Sequence, residues 1–176
     1  MGKRSSFERI PRDFYPTPYE AVVPLLPHLN PRTLFDEPCA GNGALIRHLE
    51  LHGHQCLNAF DIEPQRVGIA IGDATLSPVS SADCYITNPP WERAILHAII
   101  TNLSRHLPTW LLFDADWMHT KQSAPFLPWL MAIVSVGRVK WIPDSKMTGK
   151  DNCCWYLFNQ NADQLDFPSV FYGRAA

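Results

Sequence analysis

Thr33-Leu34-Phe35-Asp36-Glu37-Pro38-Cys39-Ala40-Gly41-Asn42-Gly43-Ala44-Leu45-Ile46 is the stretch on which the fold turns. Thr33 to Glu37 reads as a short buried strand with an acidic end. Pro38 to Gly43 reads as the loop after it. From Ala44 to His52 the pattern changes to a helix, with Leu45, Ile46 and Leu49 on one face and Gly53 as the stop. A strand that hands over to a helix through a glycine loop is the first half of a βαβ unit. It predicts α/β layering around a mostly parallel sheet.

Outward from this stretch the alternation continues. Cys56 to Ile62 reads as a second strand and Ile69-Ala70-Ile71 as a short third, with a short helix or turn near Glu63 to Val67 between them. Asp83 to Thr87 reads as a fourth strand. Glu92 to Leu107 is the clearest helix, because Ile95, Ile99, Leu103 and Leu107 recur at i+4, backed by Leu96 and Ile100. Trp110 to Ala115 reads as a fifth strand. A helix near Leu127 to Ile133 follows, then strands at Arg138 to Ile142 and Cys154 to Phe158. Ahead of the glycine loop, Thr17-Pro18-Tyr19-Glu20 has the shape of a capping box opening a first helix. Seven short strands with helices between them predict a doubly wound sheet with helices on both faces.

Composition fits one compact domain over residues 1–176, with residues 1–12 flexible. The chain is 46% hydrophobic and 18% charged, with a net charge of −2. It contains no apolar run of the ~20 residues that span a bilayer, and no secretory signal is expected. Cys39, Cys56, Cys84, Cys153 and Cys154 are odd in number and scattered, with no CxxC pair. They suggest a reducing cytoplasm and neither a disulfide framework nor a metal centre. The weak net charge offers nothing to a phosphate backbone. Two basic clusters do: Lys3, Arg4, Arg9 and Arg12, and Arg138, Lys140, Lys146 and Lys150. Plain solvated surface explains them equally well.

Acidic residues recur at the ends of the predicted strands: Glu37, Asp61, Asp73, Asp114 and Asp116. Open α/β sheets bind ligands at that edge, and carboxylates there suit hydroxyls, an amine or a positive charge. Gly41 and Gly43 allow close approach of a ligand, but Ile46 stands where a dinucleotide fingerprint needs its third glycine. No Gly-Lys-Ser/Thr follows, so the loop is no phosphate-binding P-loop. Asp61, about twenty residues on, is placed to hold a ribose diol. Asp73 ends the next segment, where it can face an adenine amino group. Together these features suggest an adenosine-containing ligand without a pyrophosphate.

Asn88-Pro89-Pro90-Trp91 sits between the fourth strand and the long helix. Two prolines fix two φ angles and remove two N–H donors. Each also keeps the residue before it out of the α region. The result is a stiff run of carbonyl acceptors, to which Asn88 adds a side-chain oxygen. That arrangement suits a planar NH2, which has two N–H bonds to donate. Such an amine is a poor nucleophile because its lone pair is delocalised. Two fixed acceptors draw its hydrogens to one side and free the lone pair, which is positioning plus preorganised electrostatics. Trp91 offers a face on which a base can stack, worth roughly 1–3 kcal/mol.

In this order the motifs resemble those of the class I S-adenosylmethionine-dependent N6-adenine DNA methyltransferases of the small phage and prophage type. The resemblance runs from about Asp13 to about Phe158. It implies a Rossmann-like sheet of seven strands, mostly parallel, with the last strand antiparallel. It implies S-adenosyl-L-methionine as cofactor and S-adenosyl-L-homocysteine as product. The cofactor would be held by Tyr15 and Thr17, by Glu37, Pro38, Cys39, Ala40, Gly41, Asn42 and Gly43, by Asp61 and Ile62, by Asp73 and Ala74, and by Asn88. Asn88, Pro89, Pro90 and Trp91 would form the catalytic tetrapeptide. DNA is the implied partner, with RNA, or a glutamine amide in a protein, as alternatives that carry the same kind of amine. Larger relatives carry a separate target-recognition domain, for which 176 residues leave no room. Specificity is then short, loose or supplied by a partner. Asp116 to Thr120 and Ser145 to Cys154 are expected near the target, with Trp117 and Trp155 as further stacking candidates, although core packing accounts for both more simply.

Overall fold

In a computed structural model of the chain, residues 14–76, 80–142, 149–161 and 170–173 are described. The predicted strand–loop–helix is present as β1 (Leu34–Glu37) and α2 (Ala44–Glu50), preceded by a one-turn helix α1 (Tyr19–Val22). Then come β2 (Gln55–Asp61), β3 (Ala70–Ile71), β4 (Cys84–Thr87), α3 (Arg93–Ser104), β5 (Thr109–Asp114), β6 (Leu130–Arg138), β7 (Asn152–Phe158) and β8 (Val170–Tyr172). The strands form one sheet in the order β3-β2-β1-β4-β5-β7-β6-β8. Strands β1 to β5 run parallel, and β7 lies antiparallel between β5 and β6.

The strands β4, β5, β6 and β7 are largely buried and apolar because both faces of the sheet are covered there, whereas β2, β3 and β8 towards the edges are more exposed. Successive residues alternate between two cores. Cys84, Ile86, Trp110, Leu112 and Trp155 pack with α1 and α2 on one face. Tyr85, Leu111, Phe113, Tyr156 and Phe158 pack with α3 on the other. The expectation of a doubly wound α/β sheet with helices on both faces is met. Adjacent Cys153 and Cys154 fall into opposite cores, and all five cysteines are free.

Several expectations need correction. The sheet has eight strands, not seven, because β8 adds to the far edge and pairs parallel with β6. The reversed strand is therefore β7, not the last in the chain. Leu127 to Ile133 is not a helix: a 3-10 stretch ends at Trp129 and β6 begins at Leu130. A strand buried on both faces shows the same unbroken apolar run as a buried helix. That strand ends at Arg138, so no strand occupies 139–142. Of the short helix or turn expected near Glu63 to Val67, the structure has bends and a turn. Thr17 makes no capping bond: Pro18 is the N-cap of α1, without a side-chain hydrogen bond. The helix after the tetrapeptide starts where expected, because the Glu92 carboxylate accepts from the Ala94 and Ile95 amides at 3.1 Å each. It stops at Ser104, short of Leu107.

Trp155 ties the first helix to the sheet. Its side chain is fully buried, and its indole N–H donates to the Ala21 carbonyl at 2.7 Å. Trp155→Phe leaves that carbonyl without its donor and opens space around the smaller ring. The expected loss is about 2–4 kcal/mol of unfolding free energy in a urea titration.

Candidate functional site

The C-terminal ends of the parallel strands open onto a cavity of about 740 Å3. Pockets for ligands of cofactor size run roughly 300–1,000 Å3. Its floor is the loop from β1 to α2. Gly41 and Gly43 take positive φ values of 51° and 72°, which glycine adopts without strain. At Gly41 there is a second reason for glycine, since a Cβ would lie 2.6 Å from the Phe14 ring. Asp61 holds the loop in place. One of its oxygens accepts from the Gly41 amide and the other from the Glu63 amide, each at 2.8 Å. A carboxylate has about four acceptor positions, so Asp61 keeps capacity for ligand hydroxyls.

Of the residues named from the sequence, Tyr15, Thr17, Glu37, Pro38, Cys39, Ala40, Gly41, Asn42, Asp61, Ile62, Asp73, Ala74, Asn88 and Pro90 all line this cavity. Gly43, Pro89 and Trp91 do not. Gly43 is the left-handed N-cap of α2, and Pro89 is buried beneath the surface. Trp91 packs over the sheet edge against both cores, with its indole N–H donating to the Leu112 carbonyl at 3.3 Å. Asp114 and Asp116 also fall outside the cavity. Asp114 is taken up by an ion pair with Arg93 at 3.0 Å and by the Asp116 amide. Trp117 and Trp155 are fully buried, so neither is a stacking surface. His119 is exposed. Residues 1–13 and 143–148 lie outside the described residues. Lys3, Arg4, Arg9, Arg12 and Lys146 fall there, as does the 145–148 part of the Ser145 to Cys154 segment.

The structure adds residues that the sequence did not single out. Phe14 covers the glycine loop. Ile95 and Ile99, in the first turns of the α3 stripe, line the cavity, Ile99 from within the core and Ile95 from an exposed position. Thr75 donates its amide and hydroxyl to one Asp73 oxygen, at 2.8 and 2.7 Å, and so fixes that carboxylate. Buried Asn102 anchors the same segment by donating to the Ala74 carbonyl at 2.9 Å. Trp141 stands at the tetrapeptide, its ring edge-on to Trp91 at 5.8 Å and tilted against Tyr15 at 6.4 Å. Its position follows from topology. Asp114 pairs with Cys153, and Arg138 with Asn152, so the β6–β7 connection returns to the edge where β5 ends.

Charge defines the cavity further. Glu37, Asp61, Glu63, Asp73 and Glu92 line it, and among the described lining residues there is no Lys or Arg. Such a site repels phosphates and suits a cationic ligand with hydroxyls and an apolar ring. Glu37 is the deepest of these acids. It is 2% exposed, and its Oε2 has no hydrogen-bond partner among the described residues. Burial, and then the neighbouring Asp61 charge, push its carboxyl well above the ordinary value, against smaller opposing effects of the Ile46 amide and Arg47. Burial likewise raises the Cys39 thiol, so that cysteine stays neutral.

With this geometry the comparisons become informative. No protein-family model matches the sequence, and no curated protein matches it. Solved structures do match. One is a TehB-like SAM-dependent methyltransferase from Corynebacterium glutamicum, at 12% identity and a TM-score of 0.52, covering 80% of this chain and 87% of that one. The chain has the fold of S-adenosylmethionine-dependent methyltransferases. A putative RNA methyltransferase from Pyrococcus horikoshii is similar at 18% identity and a TM-score of 0.54, over 82% and 85% of the two chains. The M protein of the type I restriction enzyme EcoKI is similar at 14% identity and a TM-score of 0.50, over 85% of this chain and 44% of that one. Among the described residues, no helix is long and apolar enough to cross a membrane and no cluster of side chains suits a metal ion.

Glu37 makes a measurable prediction about pH. A carboxyl whose pKa is raised by folding stabilises the folded state only while protonated. Its contribution is complete below the ordinary value of 4.5 and is lost as pH rises toward the higher folded value. Glu37→Gln removes the ionisable group and keeps the shape. Melting temperatures recorded from pH 4 to 8.5 should coincide for variant and wild type at the acid end. Above that the variant should be increasingly more stable.

Proposed function

We propose that the chain transfers a methyl group from S-adenosyl-L-methionine to the exocyclic N6 amino group of adenine in DNA. The observation that carries this is the juxtaposition of Asn88 with an acid-lined cavity that holds no basic side chain among its described lining residues. The residues present fit the cofactor. Glu37 offers an unpartnered buried oxygen to a cationic end. Asp61 has acceptor capacity left for a ribose diol, and the second oxygen of Asp73 suits an adenine amino group beside the apolar Ile62 and Ala74. When bound, this cofactor supplies an activated methyl group carried on a positively charged sulfur.

The chain's own residues then hold and polarise the target amine. The Asn88 side-chain oxygen and the Pro89 carbonyl accept its two N–H bonds. Pro90 contributes no competing donor. The nitrogen lone pair is turned toward the cavity, and one of the two held hydrogens leaves to solvent as a proton once the new bond forms. Trp91 supplies the face on which the base rests, and Trp141 narrows the approach. A base reaches this edge only when extruded from the helix or presented single-stranded. The similarity to a putative RNA methyltransferase and to a restriction-enzyme M protein supports a nucleobase target without choosing between nucleic acids.

The test is to incubate purified protein with methyl-labelled S-adenosylmethionine and, separately, DNA, RNA and a protein extract, then digest and identify the labelled unit. N6-methyladenine from DNA is expected. Label found only in RNA or only in protein would move the activity to the corresponding alternative. Asn88→Ala should lower transfer roughly 100-fold or more while cofactor binding persists, because a preorganised partner of the reacting group is lost. Asp61→Ala should instead weaken cofactor binding roughly 10- to 100-fold by calorimetry, since it removes a charged acceptor and loosens the Gly41 amide.

A further inference from the structure

We propose that Tyr15 is a positioning residue that acts through its main chain. Its carbonyl fixes the Asn88 amide so that the oxygen, and not the nitrogen, is presented to the target amine. This inference rests on the reading of Asn88 as an acceptor for that amine.

The geometry is direct. The Asn88 Nδ2 donates to the Tyr15 carbonyl at 3.3 Å, across 73 residues of chain. A carbonyl can only accept, so the end of the amide turned toward it must be the NH2. The opposite end is then Oδ1, which can only accept. An asparagine without such a neighbour is free to present either end, and a flipped amide would offer N–H bonds to an N–H2 target. One main-chain oxygen therefore decides whether Asn88 attracts the amine or repels it.

Four features hold that oxygen where it is. Pro16 follows Tyr15, which keeps the Tyr15 backbone extended and out of the α region. The Tyr15 ring packs against Trp141. On the other side Phe14 lies on Gly41, at the one position of the cofactor loop where any side chain would collide with it. Thr17, next along, is buried at 5% exposure. The segment from Phe14 to Thr17 thus runs across the cavity as a strap, seated on the glycine loop at one end and on Asn88 at the other. All four of its residues line the space the cofactor would fill. Seating of the strap and correct presentation of Asn88 are consequently one event.

Phe14→Ala tests this, because it unseats the strap at the end remote from Asn88. Phe14→Leu, which keeps an apolar side chain on Gly41, is the conservative control. The first readout needs no activity. In protein labelled with 15N-asparagine, the Asn88 side-chain NH2 pair is assigned by its absence from Asn88→Ala. In wild type this pair should show two resolved signals with slowed solvent exchange. In Phe14→Ala it should collapse to a solvent-like pair, and Phe14→Leu should restore it. The second readout is kinetic. At saturating cofactor and DNA, kcat of Phe14→Ala should fall roughly 10- to 100-fold, as expected for a misplaced catalytic group, with KM for DNA unchanged, and Phe14→Leu should recover part of that loss. An Asn88 pair identical in wild type and Phe14→Ala would overturn the positioning role. A wild-type protein that methylates no DNA but shows the expected signals would overturn the proposed activity and leave the Tyr15–Asn88 geometry standing.

Discussion

The carboxylate of Asp61 is the tie on which the site depends. It closes the turn between β1 and α2 by accepting the Gly41 amide, and it turns the chain out of β2 by accepting the Glu63 amide. The Ala40 amide, donating to the Phe60 carbonyl at 3.0 Å, ties the start of the same loop to β2. Two glycines with positive φ make it able to bend, and flexibility alone would leave it undefined. Asp61 converts that freedom into a defined floor. The Gln65 amide donating to the Gly41 carbonyl at 2.9 Å adds a second stitch to the same glycine. The floor in turn supports Phe14, and through the strap it reaches the tetrapeptide.

This arrangement concentrates negative charge. Carboxylates placed together and away from water repel each other and resist ionisation, which is why Glu37 is held protonated above its ordinary range. A protein builds such a cluster at a cost in stability. The cost is offset when a cation fills the cavity, because the same burial that penalises a lone carboxylate strengthens its attraction to a positive partner. The acidic lining therefore works as selection by charge. Anionic nucleotides are rejected by repulsion, while a ligand that carries adenosine and a positive charge gains from every wall. The described rim offers the backbone of the tetrapeptide and two tryptophans, with Arg138, Lys140 and Lys150 on or beside the β6–β7 connection.

Most of the layering could be read from the chain because the signals were local. The glycine loop and the i+4 stripe of α3 each state their structure within a few residues. β6 could not be read in this way. Leu130 to Val136 is apolar on both faces, Pro128 interrupts its start, and no period survives to separate strand from helix. β8 failed for the opposite reason: three residues, Val170 to Tyr172, are too few to show a pattern. Among the site residues, those on loops after strands were legible, since chemistry and turn residues coincide there. Trp141 was not. It gains its place only because β7 reverses direction, and a reversal is a property of the whole sheet. Trp117 and Trp155 were on the page as tryptophans near motifs, yet both serve the two cores.

The reversed strand does more than enlarge the sheet. In an all-parallel sheet every connection must cross back through a helix, and the loops reaching the cavity would all follow strand ends. Inserting β7 antiparallel between β5 and β6 makes a hairpin whose connection arrives at that edge directly. That connection delivers Trp141 to Trp91 and Tyr15. The parallel half of the sheet places Glu37, Asp61 and Asp73 on the cavity, and the reversed half places Trp141 beside the tetrapeptide. Asn88 follows central strand β4, which pairs on one side with β1, the strand ahead of the glycine loop, and on the other with β5, the strand against which the reversed β7 lies.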